Sequence, residues 1–125
     1  MVHKLILLAA AGSLGTLARY GLAGLVQRSS GSSFPWGTMA VNIAGCFLVG
    51  LLAALFEGRW PVSGETRIIC LVGFMGAFTT FSAYMLETGE LVRSAEWLHA
   101  AANMGLQNGL GFVALLVGAA LGRMI

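Results

Sequence analysis

Four long apolar runs take up nearly the whole chain, at residues 5–26, 37–56, 67–91 and 97–121, with only short polar stretches between them. A membrane-crossing helix needs roughly 20 predominantly apolar residues, so each run is long enough to cross a bilayer once. Charged residues make up 10% of the 125 residues, against about 25% in an ordinary soluble domain. That supply cannot cover the surface of a water-soluble fold, whereas a bilayer removes the need for a charged surface. The expected fold is therefore an all-α integral membrane protein with four transmembrane helices, forming one membrane domain over residues 1–125. Its function must lie inside the membrane. A net charge of +2 with no basic run excludes nucleic acid as a partner and leaves membrane lipid as the surrounding phase.

Local signals agree with this division. Gln27 to Ser33 is a polar, Ser/Gly-rich linker, and Phe34-Pro35-Trp36-Gly37 combines a proline near a helix start with a tryptophan at headgroup level. Glu57 to Thr66 reads as a loop, and Arg93 to Glu96 as a short polar hinge. Trp36, Trp60 and Trp97 all fall at span ends, as an aromatic belt would place them. Lys4 followed by a leucine run and Ala9-Ala10-Ala11 resembles a secretory signal, but the apolar run continues to Val26 and reads as a span. Cys46 and Cys70 lie within apolar runs, form no ligand spacing with His3 or His99, and read as small packing residues.

Loop charges bear on orientation. Lys4, Arg59, Arg67 and Arg123 lie toward one side, and Arg28 and Arg93 toward the other, with Arg19 inside its span but nearer the second side. So even a distribution favours neither orientation. Two opposed copies would reproduce the inverted-repeat architecture that larger transporters encode in one chain, so an antiparallel homodimer is expected. Gly12 and Gly15, Gly105 and Gly109, and Gly118 and Gly122 offer close helix approach in small-residue motifs. Glycine is also common in any membrane helix.

The third run is the informative one. Gly73, Gly76, Thr79, Thr80 and Ser82 cluster near its middle, where residues that weaken helices are least expected. This predicts a broken helix whose unwound carbonyls need protein, water or a cation such as Na⁺. The alternative is a continuous helix with its hydroxyls bonded to the preceding turn. Phe78, Phe81 and Tyr84 recur every three residues and predict an aromatic stripe on one helix face. Such a stripe is ordinary packing, or else a line of positive ring edges along a narrow anion path.

Buried polar residues extend the pattern. Asn42 lies a third of the way into the second run, and its amide must find partners in a helix or an anion. His99, Asn103 and Gln107 recur every four residues and continue to Gly111, a polar stripe facing protein or water. Interhelical hydrogen bonding and direct ion contact are both open to these amides. Arg19 can snorkel to an interface or place positive charge in a vestibule. Glu87 and Glu90 share a helix face, but without a nucleophile, a metal site or a soluble cleft they make no catalytic pair. The reading is not an enzyme.

Gly12-x-x-Gly15-x-x-x-Arg19, Pro35-Trp36-Gly37-Thr38-x-x-Val41-Asn42 and Gly73-Phe74-x-Gly76-x-x-Thr79-Thr80-Phe81-Ser82 together resemble the Fluc (CrcB) family of fluoride channels. The resemblance covers essentially the whole chain. It implies a four-helix subunit of the bacterial inner membrane, paired as an antiparallel dual-topology dimer with two fluoride pathways and a central structural Na⁺. Carried over residue by residue, the Na⁺ carbonyls fall on Gly76 and Thr79, the pore aromatics on Phe81 and Tyr84, the pore amide on Asn42 and the vestibule base on Arg19. Thr38, Thr80, Ser82, Asn103 and Gln107 complete the expected ion pathway, and the family's carboxylate late in span three falls on Glu87. Tyr84 stands where the family has phenylalanine, and Gln107 and Gly111 where it has small hydroxyl residues. The implied role is passive export of cytoplasmic fluoride. A small four-helix dual-topology multidrug antiporter is the alternative, but it requires a buried carboxylate in span one, and none is there. A non-transporting scaffold is a third reading, and it would not need a broken third span.

Overall fold

The structure is a computed structural model describing Met1–Ile125. It is all-helical, with four helices or helical stretches long and apolar enough to cross a membrane: Val2–Ser30, Trp36–Glu57, Gly64–Arg93 and Trp97–Met124. The first, α1 (Val2–Ser30), runs past Val26 into the expected linker, with the hydroxyls of Ser29 and Ser30 turned back to donate to Leu25 O and Gln27 O. Gly31 ends it in the left-handed region, at φ 59° and ψ 18°, a conformation that costs glycine nothing. The Gln27 side chain then ties this end to the next helix, donating to Ser32 O and Phe34 O and accepting from Gly37 N–H at 3.0 Å.

The second helix, α2 (Trp36–Glu57), packs most extensively on the last one, which crosses Trp97–Met124. Their backbones approach closely where side chains are missing: a Cβ on Gly50 would collide with Leu115 O, and one on Gly118 with Phe47 O. Gly15 of α1 makes the corresponding close approach to Phe74 O, whereas nothing lies within 4 Å of a Cβ on Gly105 or Gly109.

The third crossing is composite. It begins as α3 (Gly64–Ile68), capped by Ser63 Oγ accepting from Thr66 N–H, and passes through a π-helical segment, Ile69–Met75, that lies against α1. Gly73 sits in that segment with Leu8 and Ala11 of α1 directly over it. A short turn, α4 (Gly76–Phe78), follows; Thr79 and Thr80 are extended, with φ/ψ of −87°/160° and −149°/113°, and α5 (Phe81–Arg93) then starts afresh. Thr80 caps that start by accepting from Ala83 N–H, the usual role of threonine at a helix N-terminus.

A tight turn leads from α5 to α6 (Trp97–Met124). Ala95 is left-handed at φ 57°, with its N–H bonded to Val92 O and that of Glu96 bonded to Leu91 O. Such a reversal normally carries glycine at this position.

Only 23 of 125 residues are buried, and the central apolar cluster is Val41, Met75 and Phe78. Most large apolar side chains point outward, which suits a surface solvated by hydrocarbon. Trp36, Trp60 and Trp97 are among the exposed ones; Trp36 and Trp97 begin their helices, and Trp60 lies in the loop just after α2.

Candidate functional site

The extended Thr79-Thr80 backbone leaves peptide groups that a helix would have satisfied, and the site is built around them. Thr80 N–H, which a continuous helix would direct to Gly76 O, donates to Asn42 Oδ1 at 2.8 Å. Thr80 O accepts from Asn42 Nδ2 at 3.0 Å. Ala83 N–H, which would otherwise reach Thr79 O, donates to the Thr80 hydroxyl at 3.2 Å. The carbonyls of Gly76 and Thr79 thereby lose their in-helix partners. Both are bare oxygens of the kind a hard monovalent cation takes, and no grouping of His, Cys, Asp and Glu offers a competing metal site.

The orientation of Asn42 sets that of the groups beyond it. Its second amide proton goes to Gln107 Oε1 at 2.8 Å, and Gln107 Nε2 donates to Asn103 Oδ1 at 2.9 Å. Asn103 Nδ2 donates to the Thr88 hydroxyl at 2.9 Å, which donates to Tyr84 O at 2.7 Å. Every donor in this chain points the same way, from the Thr80 interruption into the interface of α5 and α6. Asn103 and Gln107 are buried. His99, expected on the same stripe, is exposed and pairs with Glu96 at 2.6 Å, so Thr88 takes the place it was expected to fill.

Thr80 lines two cavities. One, of about 580 Å³, is lined by Arg19, Thr38, Thr80 and Ser82 among others. Arg19 forms no ion pair there. The other, of about 290 Å³, is lined by Asn42, Thr79, Thr80, Phe81, Tyr84, Gln107 and Asn108 together with Cys46 and neighbouring apolar groups. No acidic side chain lines either cavity. Thr38 reaches a third cavity as well, donating to Glu87 Oε1 at 2.6 Å while Glu87 Oε2 is buried without a partner. The candidate residues from α1, α2, α5 and α6 are thus brought together around one interruption, with Asn103 one hydrogen bond deeper.

The aromatic stripe differs from its expectation. Phe81 and Tyr84 meet edge to face, with centroids 5.7 Å apart, but Phe78 lies before the extended residues and stacks on Phe74 in the central cluster. Two extended residues break the helical register, so a spacing of three no longer means one face. Asn108, absent from the sequence-based set, donates to the Tyr84 hydroxyl at 2.9 Å. It lies one residue off the four-residue stripe, and no spacing rule links it to position 84.

Four apolar crossings around buried, hydrogen-bonded amides define a multi-pass membrane protein of the bacterial membrane. The profile described as CrcB-like protein, Camphor Resistance (CrcB), matches residues 6–119, and the chain belongs to that family. It is 62% identical over 125 residues, the whole of both chains, to the fluoride-specific ion channel FluC of Desulforapulum autotrophicum. The channel of the same name from Nitrosococcus oceani is 50% identical over 125 residues, again the whole of both. That of Maridesulfovibrio salexigens is 48% identical over 124 residues, 99% of this chain and 98% of the relative.

Proposed function

We propose that this protein is a passive, fluoride-selective channel through which cytoplasmic fluoride leaves the cell, assembled from two copies in antiparallel orientation. The observation that carries the reading is the pair of cavities that share Thr80 in their lining, in a chain 62% identical to a protein named as a fluoride-specific ion channel. Their polar lining is hydroxyls, amides and ring edges with a single base, Arg19. Fluoride is small and strongly hydrated, so its water has to be replaced by donors. Those donors must also bind weakly enough to release it. Uncharged groups meet both conditions, and Arg19 at the wider cavity draws anions in.

A structural Na⁺ held by Gly76 and Thr79 carbonyls belongs to the same proposal. The redirected N–H groups of Thr80 and Ala83 support it, because they leave the two carbonyls available. Two opposed copies would bring two such pairs together, and a fixed cation there offsets part of the cost of an anion at low dielectric. The exposed apolar belt and the even distribution of loop charge support pairing of opposed copies. Names of the relatives favour a channel over the antiporter.

The test is fluoride release from liposomes containing only the purified protein, with chloride as control. The expected result is dissipation of a fluoride gradient without a proton gradient while chloride is retained. Release no faster than from empty liposomes, by folded and reconstituted protein, would overturn the reading.

A further inference from the structure

Tyr84 is only 5% exposed, and its hydroxyl oxygen accepts a hydrogen bond from Asn108 Nδ2 at 2.9 Å. A third group decides the direction of that bond. The same Nδ2 donates to Met104 O at 2.8 Å, and a carbonyl can only accept. Turning the amide over would set Asn108 Oδ1 against Met104 O, so the nitrogen faces α5 and the phenol is left as the acceptor. Its own proton then has no acceptor within this chain. A buried hydroxyl proton without an acceptor is costly and calls for a partner from outside the chain.

The setting indicates the kind of partner. Tyr84 and Asn108 both line the 290 Å³ cavity, to which no acidic side chain contributes. Both amide protons of Asn42 are taken, by Thr80 O and Gln107 Oε1, and the Thr79 hydroxyl donates to Met75 O. What the side chains around this cavity can still offer is the Tyr84 proton, the second Nε2 proton of Gln107, whose first goes to Asn103, the Thr80 hydroxyl proton, whose nearest partner is Ser82 Oγ at 3.4 Å, and the weak donor of the Cys46 thiol. Unspent donors without a negative charge suit a small, strongly accepting anion.

We infer that Asn108 is a positioning residue for an anion subsite: it holds the Tyr84 hydroxyl as an acceptor on one side so that the phenolic proton is presented to a small anion in the cavity. The identity of the anion rests on the fluoride-channel reading; the orientation of the phenol does not.

The experiment uses the reconstituted protein in a Tyr20→Phe background. Of the chain's two tyrosines, only Tyr84 then remains. In Raman spectra, the intensity ratio of the tyrosine doublet is high for a phenol that only accepts, intermediate for one that does both, and falls as the phenol donates more strongly. Without fluoride, when water in the cavity takes the phenolic proton, the ratio should be the higher one; fluoride, the stronger acceptor, should lower it, and chloride at equal ionic strength should not. In flux assays Tyr84→Phe should raise half-saturating fluoride about ten-fold, the loss of one hydrogen bond to a charged group. Asn108→Leu should raise it about three-fold in the parent and leave it unchanged in the Tyr84→Phe background.

Asn108→Leu raising half-saturating fluoride by the same factor in both backgrounds would overturn the positioning role. So would a ratio that fluoride does not move in a transporting protein, a measurement that needs no substitution at Asn108. Either result leaves the channel reading standing. A parent that releases no fluoride overturns the channel reading and the proposed anion together.

Discussion

Asn42 closes both hydrogen bonds of the Thr80 residue 38 positions away, its Oδ1 accepting from N–H at 2.8 Å and its Nδ2 donating to the carbonyl at 3.0 Å. One carboxamide thus performs for an extended residue what a neighbouring turn does within a helix. Since a backbone donor and a backbone acceptor specify its orientation, the amides that follow it are ordered too.

Replacing Asn42 by leucine keeps much of the volume but strands Thr80 N–H, Thr80 O and Gln107 Oε1. Each buried group left without a partner costs about 1–3 kcal/mol. Gln107→Leu strands only Asn42 Nδ2–H and Asn103 Oδ1. Thermal unfolding in detergent should therefore rank the parent above Gln107→Leu, and Gln107→Leu above Asn42→Leu. An Asn42→Leu protein as stable as the parent would show that the interruption holds itself open without the amide.

Ala95 supplies an independent test of the fold. It occupies the left-handed position of the turn between α5 and α6 at φ 57°, where an L side chain costs about 1–2 kcal/mol. Ala95→Gly removes that cost and adds some freedom to the unfolded chain, for a net gain of about 0.5–1 kcal/mol. Tm should rise. A fall would mean that the turn is not built as described.

Much of this architecture can be read from the sequence, and the remainder fails for identifiable reasons. The apolar runs mark the four crossings because hydrocarbon imposes length and composition on each segment independently. Their ends are less visible: polar composition predicts a linker from Gln27, yet α1 continues through Ser29 and Ser30, whose hydroxyls find acceptors on their own helix at Leu25 O and Gln27 O. The cluster of glycines and threonines points to residues 73–82, and Asn42 stands out as a buried amide. Its partnership with Thr80 and Gln107 does not, because no periodicity connects positions 42, 80 and 107. Phe78 drops out of the aromatic stripe for the opposite reason: periodicity within one helix ceases to hold across two extended residues.

The even distribution of loop charge predicts insertion in both orientations. Ser33 is exposed, and its hydroxyl makes no hydrogen bond. A reporter at Ser33→Cys, with Cys46 and Cys70 replaced, should be labelled by an impermeant reagent from both sides of the membrane in one population. Adding two or three lysines to one loop should impose a single orientation and abolish fluoride release. Labelling from one side only in the parent would refute opposed pairing.

Cation dependence can be separated from side-chain chemistry. If Gly76 and Thr79 hold Na⁺ through their carbonyls, Thr79→Ser keeps both that carbonyl and a hydroxyl able to reach Met75 O, and it should retain flux. Exhaustive exchange of Na⁺ for a large organic cation should lower flux or loosen the dimer in parent and variant alike. No change in either property, with removal verified, would exclude the cation site.

The final prediction concerns Phe81, which is 72% exposed in the single chain and meets Tyr84 edge to face. An exposed ring contributes little to the packing of its own subunit, so Phe81→Ile should leave the unfolding temperature nearly unchanged. If its edge lies beside the anion, replacing the ring removes the quadrupole that aliphatic carbon lacks, and fluoride release should slow strongly while the assembly persists on size exclusion. Tyr84→Ile should reduce both stability and flux, since that ring is buried and its hydroxyl is engaged by Asn108. The contrast between the two variants separates packing from conduction. Should Phe81→Ile transport fluoride at the parent rate, the path leaves the aromatic pair and follows the amides of Gln107 and Asn103 instead.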